Sequence, residues 1–112
     1  MRVVIDTNSL LVSIPRKSPY RPLIDAVING KIKALISNEI LSEYVEILEK
    51  RANREVALNI SEFLIQSEHV EKIELYFRWH LIEQDKDDNK FVDCALNGAA
   101  DYLVTDDKHF RI

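Results

Sequence analysis

The stretch Arg2-Val3-Val4-Ile5-Asp6 opens the chain with a short β-branched run that ends on a carboxylate. A continuous apolar run of this length, closed by a polar residue, predicts a strand that is buried on both faces. The next side chains, Asp-Thr-Asn-Ser at 6–9, can each hydrogen-bond nearby backbone, which predicts a turn. We therefore expect Asp6 at the end of a buried strand.

Helical and extended patterns alternate along the rest of the chain. Pro22 suits the first position of a helix that Gly30 closes, and Ser37 or Asn38 can cap a second helix. A third helix fits about 54–66. The apolar faces of the four predicted helices are Leu23, Ile24, Val27 and Ile28; Ile40, Leu41, Tyr44, Val45, Ile47 and Leu48; Val56, Ile60, Phe63 and Leu64; and Phe91, Val92, Ala95, Leu96 and Ala99.

Two further strands are predicted at 33–36 and 102–105, and a less regular pattern allows another near 80–83. This order predicts a three-layer α/β/α sandwich around a central, mainly parallel sheet. We expect residues 1–112 to form a single domain. Ligands of such folds bind outside the carboxyl ends of the strands, so acids at that edge are the first candidates for function.

Composition limits the classes of protein to which the chain can belong. Of its 112 residues 46% are apolar, and the formal net charge is −4. No apolar run approaches the roughly 20 residues that span a bilayer, and the N-terminus lacks a signal-peptide pattern. A single cysteine, Cys94, excludes an internal disulfide and favours a reduced, cytoplasmic setting. Because the net charge is negative, any nucleic-acid binding has to be local or metal-assisted.

Three acids from distant parts of the sequence are expected at one edge of the sheet. Asp6 follows the first strand, and Asp107 lies two residues beyond Thr105, which ends the last predicted strand. Asp88 precedes the fourth helix, where a negative charge complements the helix dipole. Each of these acids alone could be a cap, a turn residue or part of a solvated acidic surface.

The second helix should contribute a fourth carboxylate. Helical periodicity places Glu43 and Glu49 equally close to the apolar stripe, on opposite borders, whereas Glu39 points away from it. The rise of about 1.5 Å per residue puts Glu43 nearer the start of the helix and hence nearer the expected site. Glu43 is therefore the preferred candidate.

Four carboxylates at one site repel one another unless cations are bound. Carboxylates and water suit Mg²⁺ or Mn²⁺, and no cysteine or histidine belongs to the expected cluster, which argues against zinc. Two divalent ions would balance the four negative charges and admit a phosphate. This chemistry indicates phosphodiester hydrolysis, with either two ions or one ion and a carboxylate base.

Four segments together resemble the PIN-domain nucleases. They are Val-Ile-Asp-Thr-Asn at 4–8, Ser-Asn-Glu-Ile-Leu-Ser-Glu-Tyr at 37–44, Asp-Asp-Asn-Lys-Phe-Val-Asp-Cys-Ala-Leu at 87–96 and Ala-Asp-Tyr-Leu-Val-Thr-Asp-Asp-Lys-His-Phe at 100–110. The match is most similar to the toxins of toxin–antitoxin pairs that are related to VapC-type ribonucleases. It implies a Mg²⁺- or Mn²⁺-dependent endoribonuclease that acts on RNA, binds a small antitoxin and forms a homodimer.

The resemblance also implies roles for particular residues. It assigns the metal-binding and catalytic quartet to Asp6, Glu43, Asp88 and Asp107. Its spacing favours Asp88 over the neighbouring Asp87. The supporting residues that it implies are Asn8, Asp93 and Thr105.

Some alternatives stay open at this point. Members of the family usually continue past the last acid with another strand, whereas this chain reaches Ile112 soon after Asp107. Two expectations are open: the last strand is missing, or an edge strand comes from elsewhere. The first motivates an alternative function, a catalytically inactive PIN-fold binding or regulatory module. Another α/β phosphatase family is disfavoured because position 8 is asparagine rather than aspartate. A basic loop with Arg16, Lys17 and Arg21 could hold an RNA backbone or simply be solvated.

Overall fold

The computed structural model describes residues 1–75 and 89–105, and the backbone of 109–111. The strands are β1 (Arg2–Ile5), β2 (Lys33–Ile36), β3 (Val70–Lys72), β4 (Tyr102–Val104) and β5 (His109–Arg111). The helices of the described ranges are α1 (Thr7–Ser13), α2 (Arg21–Ile28), α3 (Asn38–Arg51), α4 (Arg54–Gln66) and α5 (Asn89–Asn97).

The strands form one sheet in the order β3-β2-β1-β4-β5. β1 pairs in parallel with β2 and β4, and β2 pairs in parallel with β3. β5 is antiparallel to β4, with Phe110 opposite Leu103. The predicted α/β class with a mainly parallel sheet is confirmed.

The expectation that the last strand is missing was wrong. β5 lies at the edge of the sheet, beside β4. An antiparallel neighbour needs only a short connection, whereas a parallel one needs a long crossover. The few residues that follow β4 are therefore enough to supply the strand.

Helices cover both faces of the sheet at its centre. Val3, Val4 and Ile5 are consecutive residues of β1, so their side chains alternate between the two faces, and all three are at most 3% exposed. Ala34, Leu35 and Ile36 of β2 are buried in the same way. This burial is typical of the predicted three-layer arrangement. The parallel pairing of β1 with β4 places the carboxyl ends of these two strands next to each other.

Two predictions of local structure need correction. Residues 6–9 do not form a turn, because Asp6 is the N-cap of α1 and the helix begins at Thr7. The polar residues that favour turns also favour helix caps. Here the apolar residues Leu10 and Leu11 follow them, which indicates a helix rather than a turn. The predicted fourth helix reaches Ala99, but α5 ends at Asn97 and Ala99 has a positive φ of 52°.

The remaining helix predictions are close to the structure. Ser37 caps α3, and the predicted range 54–66 is that of α4. Gly30 follows α2 with a φ of 78°, in the left-handed region that favours glycine. The strand allowed near 80–83 lies outside the described residues, while β3 lies earlier in the chain. In the part of the chain that the structure describes, no helix has the length and apolar character needed to cross a bilayer.

Candidate functional site

Asp6 is fixed at the carboxyl end of β1. Its backbone N–H donates to the carbonyl of Val104 at 2.9 Å, which continues the pairing of β1 with β4. Its carboxylate Oδ1 accepts from the backbone N–H of Ser9 at 2.8 Å, which caps α1. Two strands and a helix thus hold Asp6 at the edge where ligands of parallel sheets bind.

Glu43 joins Asp6 at this edge through Thr7. The Thr7 hydroxyl donates to Oε2 of Glu43, and the Lys90 ammonium lies 2.8 Å from Oε1. Thr7 is the first residue of α1 and follows Asp6 directly in the chain. The structure therefore places Glu43 beside the residue that follows Asp6, and Glu43 contacts α1 on one side and α5 on the other.

Tyr44 ties this part of α3 to the end of β1. Its side chain is fully buried, and its hydroxyl donates to the carbonyl oxygen of Ile5. Burial is the main cause that raises the pKa of Tyr44 well above its ordinary value, and the negative charges of Asp6 and Glu43 raise it further. The phenol therefore keeps its proton and stays a donor, with both candidate carboxylates acting on it.

The predicted quartet is only half described. Asp6 and Glu43 lie at the same edge of the sheet, with Glu43 bonded to the residue after Asp6, whereas Asp88 and Asp107 lie outside the described residues. Glu49, which competed with Glu43 on periodicity, is an exposed residue of α3. Within 1–75 and 89–105, no group of three or more histidine, cysteine, aspartate or glutamate side chains is placed to hold a metal ion. The full quartet stays a prediction.

The three supporting residues lie around this edge in different environments. Asn8 is exposed on α1, and Thr105 directly follows β4. Both line a groove of about 1400 Å³ beside the carboxyl end of the sheet. Asp93 is 2% exposed on α5, one turn beyond Lys90, so it is a buried carboxylate rather than a surface one.

The basic residues differ in how freely they could meet a ligand. Arg16 and Lys17 are exposed in the loop between α1 and α2. Arg21, in contrast, donates to Asp25 at 2.9 Å and to the carbonyl of Ile14, so its guanidinium holds the loop against α2. Of the three, Arg16 and Lys17 are the ones whose exposure is compatible with contact to a ligand.

Sequence reasoning missed Thr7 and Lys90, which are both partners of Glu43. Thr7 was read only as a turn residue. The local sequence around Lys90 carries no signal of this contact, because its partner Glu43 lies 47 positions away. Its ammonium also lies 5.4 Å from the centroid of the Phe91 ring.

The donor atoms at this site fit a hard divalent cation. The described donors are the oxygens of Asp6, Glu43 and Thr7, the type that Mg²⁺ and Mn²⁺ prefer. Cys94 is fully buried on α5, and burial raises the pKa of its thiol to about 12. It is therefore a neutral thiol and not a ligand for a soft metal.

A family model for the PIN domain matches residues 2–109 of the chain. The chain belongs to the PIN-domain family. Proteins of this family are typically nucleases and are generally metal-dependent.

A solved structure of another protein has the same fold as this PIN domain. The crystal structure of Mycobacterium tuberculosis VapC20, described as a sarcin-ricin loop cleaving toxin, superposes with a TM-score of 0.67. The likeness covers 93% of this chain and 89% of that one, at 13% sequence identity. It therefore shows the fold alone. No curated protein sequence matches this PIN domain significantly.

Proposed function

We propose that this PIN domain is a divalent-metal-dependent endoribonuclease and the toxin of a toxin–antitoxin pair. The observation that carries the proposal is the placement of two carboxylates at the carboxyl edge of the sheet: Asp6 caps α1 at the end of β1, and Glu43 of α3 accepts from the hydroxyl of Thr7, the next residue along the chain. Metal-dependent phosphodiester hydrolysis is the chemistry that adjacent carboxylates at this edge of the sheet support best.

The proposed metal ligands are Asp6, Glu43, Asp88 and Asp107. These residues would hold a divalent ion, which would supply a water of lowered pKa and positive charge to offset the charge that builds up on the phosphodiester. The protein's own residues supply the positioning. The backbone N–H of Ser9 fixes Asp6, and Thr7 fixes one oxygen of Glu43.

The proposed substrate is RNA, and the proposed partners are a small antitoxin and a second copy of the chain. The fold shared with VapC20, described as a sarcin-ricin loop cleaving toxin, supports the RNA substrate and the antitoxin. Arg16 and Lys17 are exposed and can contact phosphates of the RNA. A cytoplasmic location is part of the same proposal.

The test is RNA cleavage in Mn²⁺ by the wild type and by three variants. Asp6→Asn places asparagine at the N-cap, where it is as favourable as aspartate, so the fold should survive. Glu43→Gln keeps the size of the side chain. We expect each to lower the cleavage rate by about 100-fold or more, a loss typical of removing a preorganised charged group. Glu49→Gln, an exposed change on the same helix, should cut at the wild-type rate, and EDTA should stop cleavage.

Two results would overturn the proposal. One is an Asp6→Asn protein that is folded by circular dichroism and cuts RNA as fast as the wild type. The other is a folded wild type that binds no Mn²⁺ and leaves RNA intact, which would instead identify a catalytically inactive PIN-fold binding module.

A further inference from the structure

Lys90 is paired with Glu43 in a sheltered position. Its ammonium lies 2.8 Å from Oε1, and the two side chains are 15% and 25% exposed. On the outer surface of α3, Lys50 and Glu46 form an ordinary ion pair at 3.2 Å, with side chains 67% and 63% exposed. The Lys90–Glu43 pair, which joins α5 to α3, is therefore much better shielded from solvent than the Lys50–Glu46 pair within α3.

Lys90 lies on α5 in a partly buried position. Its side chain is 15% exposed, and lysine is among the residues least often buried unless it is paired. The carboxylate of Glu43 supplies negative charge to this ammonium at 2.8 Å.

The two oxygens of Glu43 face different neighbours. Oε2 accepts from Thr7, the first residue of α1, so it is the oxygen on the α1 side. Oε1 bonds Lys90, so it is the oxygen on the α5 side. A carboxylate has about four lone-pair sites, and Oε2 can still bind a cation while it accepts from the hydroxyl.

We propose that Lys90 is a built-in cation of the site: it occupies the side of Glu43 that a second divalent ion would need, so that the site binds one divalent ion. Two-metal sites hold their ions about 3.5–4 Å apart on shared carboxylates. A second ion on Oε1 would stand beside the ammonium, and like charges at that distance repel strongly where solvent is largely excluded. The inference rests on the proposed function, since it concerns the same site.

The experiment counts Mn²⁺ ions per chain by calorimetry and by electron paramagnetic resonance, with no RNA present. Lys90→Met removes the charge and keeps most of the aliphatic side chain, and Lys90→Gln is a second neutral variant. Lys90→Arg keeps the charge. Lys50→Met is the matched control, because it removes an exposed lysine of α3 that pairs with Glu46.

We expect one ion for the wild type, Lys50→Met and Lys90→Arg, and two ions for Lys90→Met and Lys90→Gln. A second readout needs no metal. In EDTA, Lys90→Met should unfold at a lower urea concentration than Lys50→Met, because Glu43 has lost its counter-charge, and Mn²⁺ should remove this difference.

Failure of this inference is distinguishable from failure of the proposed function. Two ions in the wild type, or one ion in both neutral Lys90 variants, would overturn the inference even if the wild type cleaves RNA. One ion in the wild type and two in the neutral variants, with no RNA cleavage, would sustain the inference and overturn the nuclease. A wild type that binds no Mn²⁺ overturns both.

Discussion

The hydroxyl of Tyr44 is buried and forms a hydrogen bond, so removing it should lower the stability of the fold. Tyr44→Phe deletes the donor to the Ile5 carbonyl and leaves a buried acceptor with one partner fewer. We expect the free energy of unfolding to fall by about 1–3 kcal/mol in urea denaturation. Tyr20 is 57% exposed, so Tyr20→Phe should leave the free energy of unfolding unchanged. Equal unfolding midpoints for the two variants would contradict a structural role for the Tyr44 hydroxyl.

At the scale of single residues, sequence reasoning reached the two carboxylates but not the groups that hold them. Asp6 was predicted because it follows a buried run, and Glu43 because periodicity and rise along the helix restrict the choice. Periodicity says which way a side chain faces and nothing about what faces it. The bond between Glu43 and Lys90 joins residues 47 positions apart, and only the docking of α5 onto α3 decides it.

Among the elements, α4 offers a clean test of a cap. The side chain of Asn53 accepts from the backbone N–H of Val56 at 2.8 Å, which satisfies a group at the start of the helix. Asn53→Ala should lower the free energy of unfolding by about 1 kcal/mol. Asn59→Ala, at an exposed position inside the same helix, should leave stability unchanged or raise it slightly, since alanine is the better helix former. If the two variants unfold alike in thermal denaturation, the cap contributes nothing.

The elements that were predicted well are those with strong periodicity and clear caps. α3 and α4 have both, and their bounds follow from them. β3 has neither, because Val-Glu-Lys at 70–72 is a short, partly exposed edge strand with no apolar run. Its pairing with β2 gives it its structure, and that contact cannot be read from local pattern. The same holds for β5, which the sequence was expected to lack.

For the whole molecule, one ion pair links strands that are not neighbours. Arg2 of β1 forms two hydrogen bonds with Glu71 of β3, at 3.0 and 2.9 Å, and also donates to the carbonyl of Gly98 at the end of α5. The bonds from Arg2 hold the pKa of Glu71 below its ordinary value of 4.5. The folded protein therefore holds this proton less tightly than the unfolded chain does.

This linkage predicts a loss of stability in acid. The contribution of Glu71 is present above about pH 4.5 and is lost as the pH falls through the lowered folded-state pKa. Because the side chain is 39% exposed, we expect a loss of no more than about 1 kcal/mol. Urea denaturation at about pH 5 and pH 3 should show a smaller loss for Glu71→Gln than for the wild type. Glu74→Gln, at an exposed position nearby, should lose as much as the wild type, and equal losses in all three would contradict the linkage.

The partners of Glu43 come from 36 positions before it and 47 positions after it. A nascent chain on the ribosome therefore carries Thr7 and Glu43 well before Lys90 has left the exit tunnel. Contacts across such distances form after local helices do. During synthesis, Glu43 gains its counter-charge only when α5 has emerged and docked. A fragment whose translation stops short of α5 has the first two residues of this network and lacks the third.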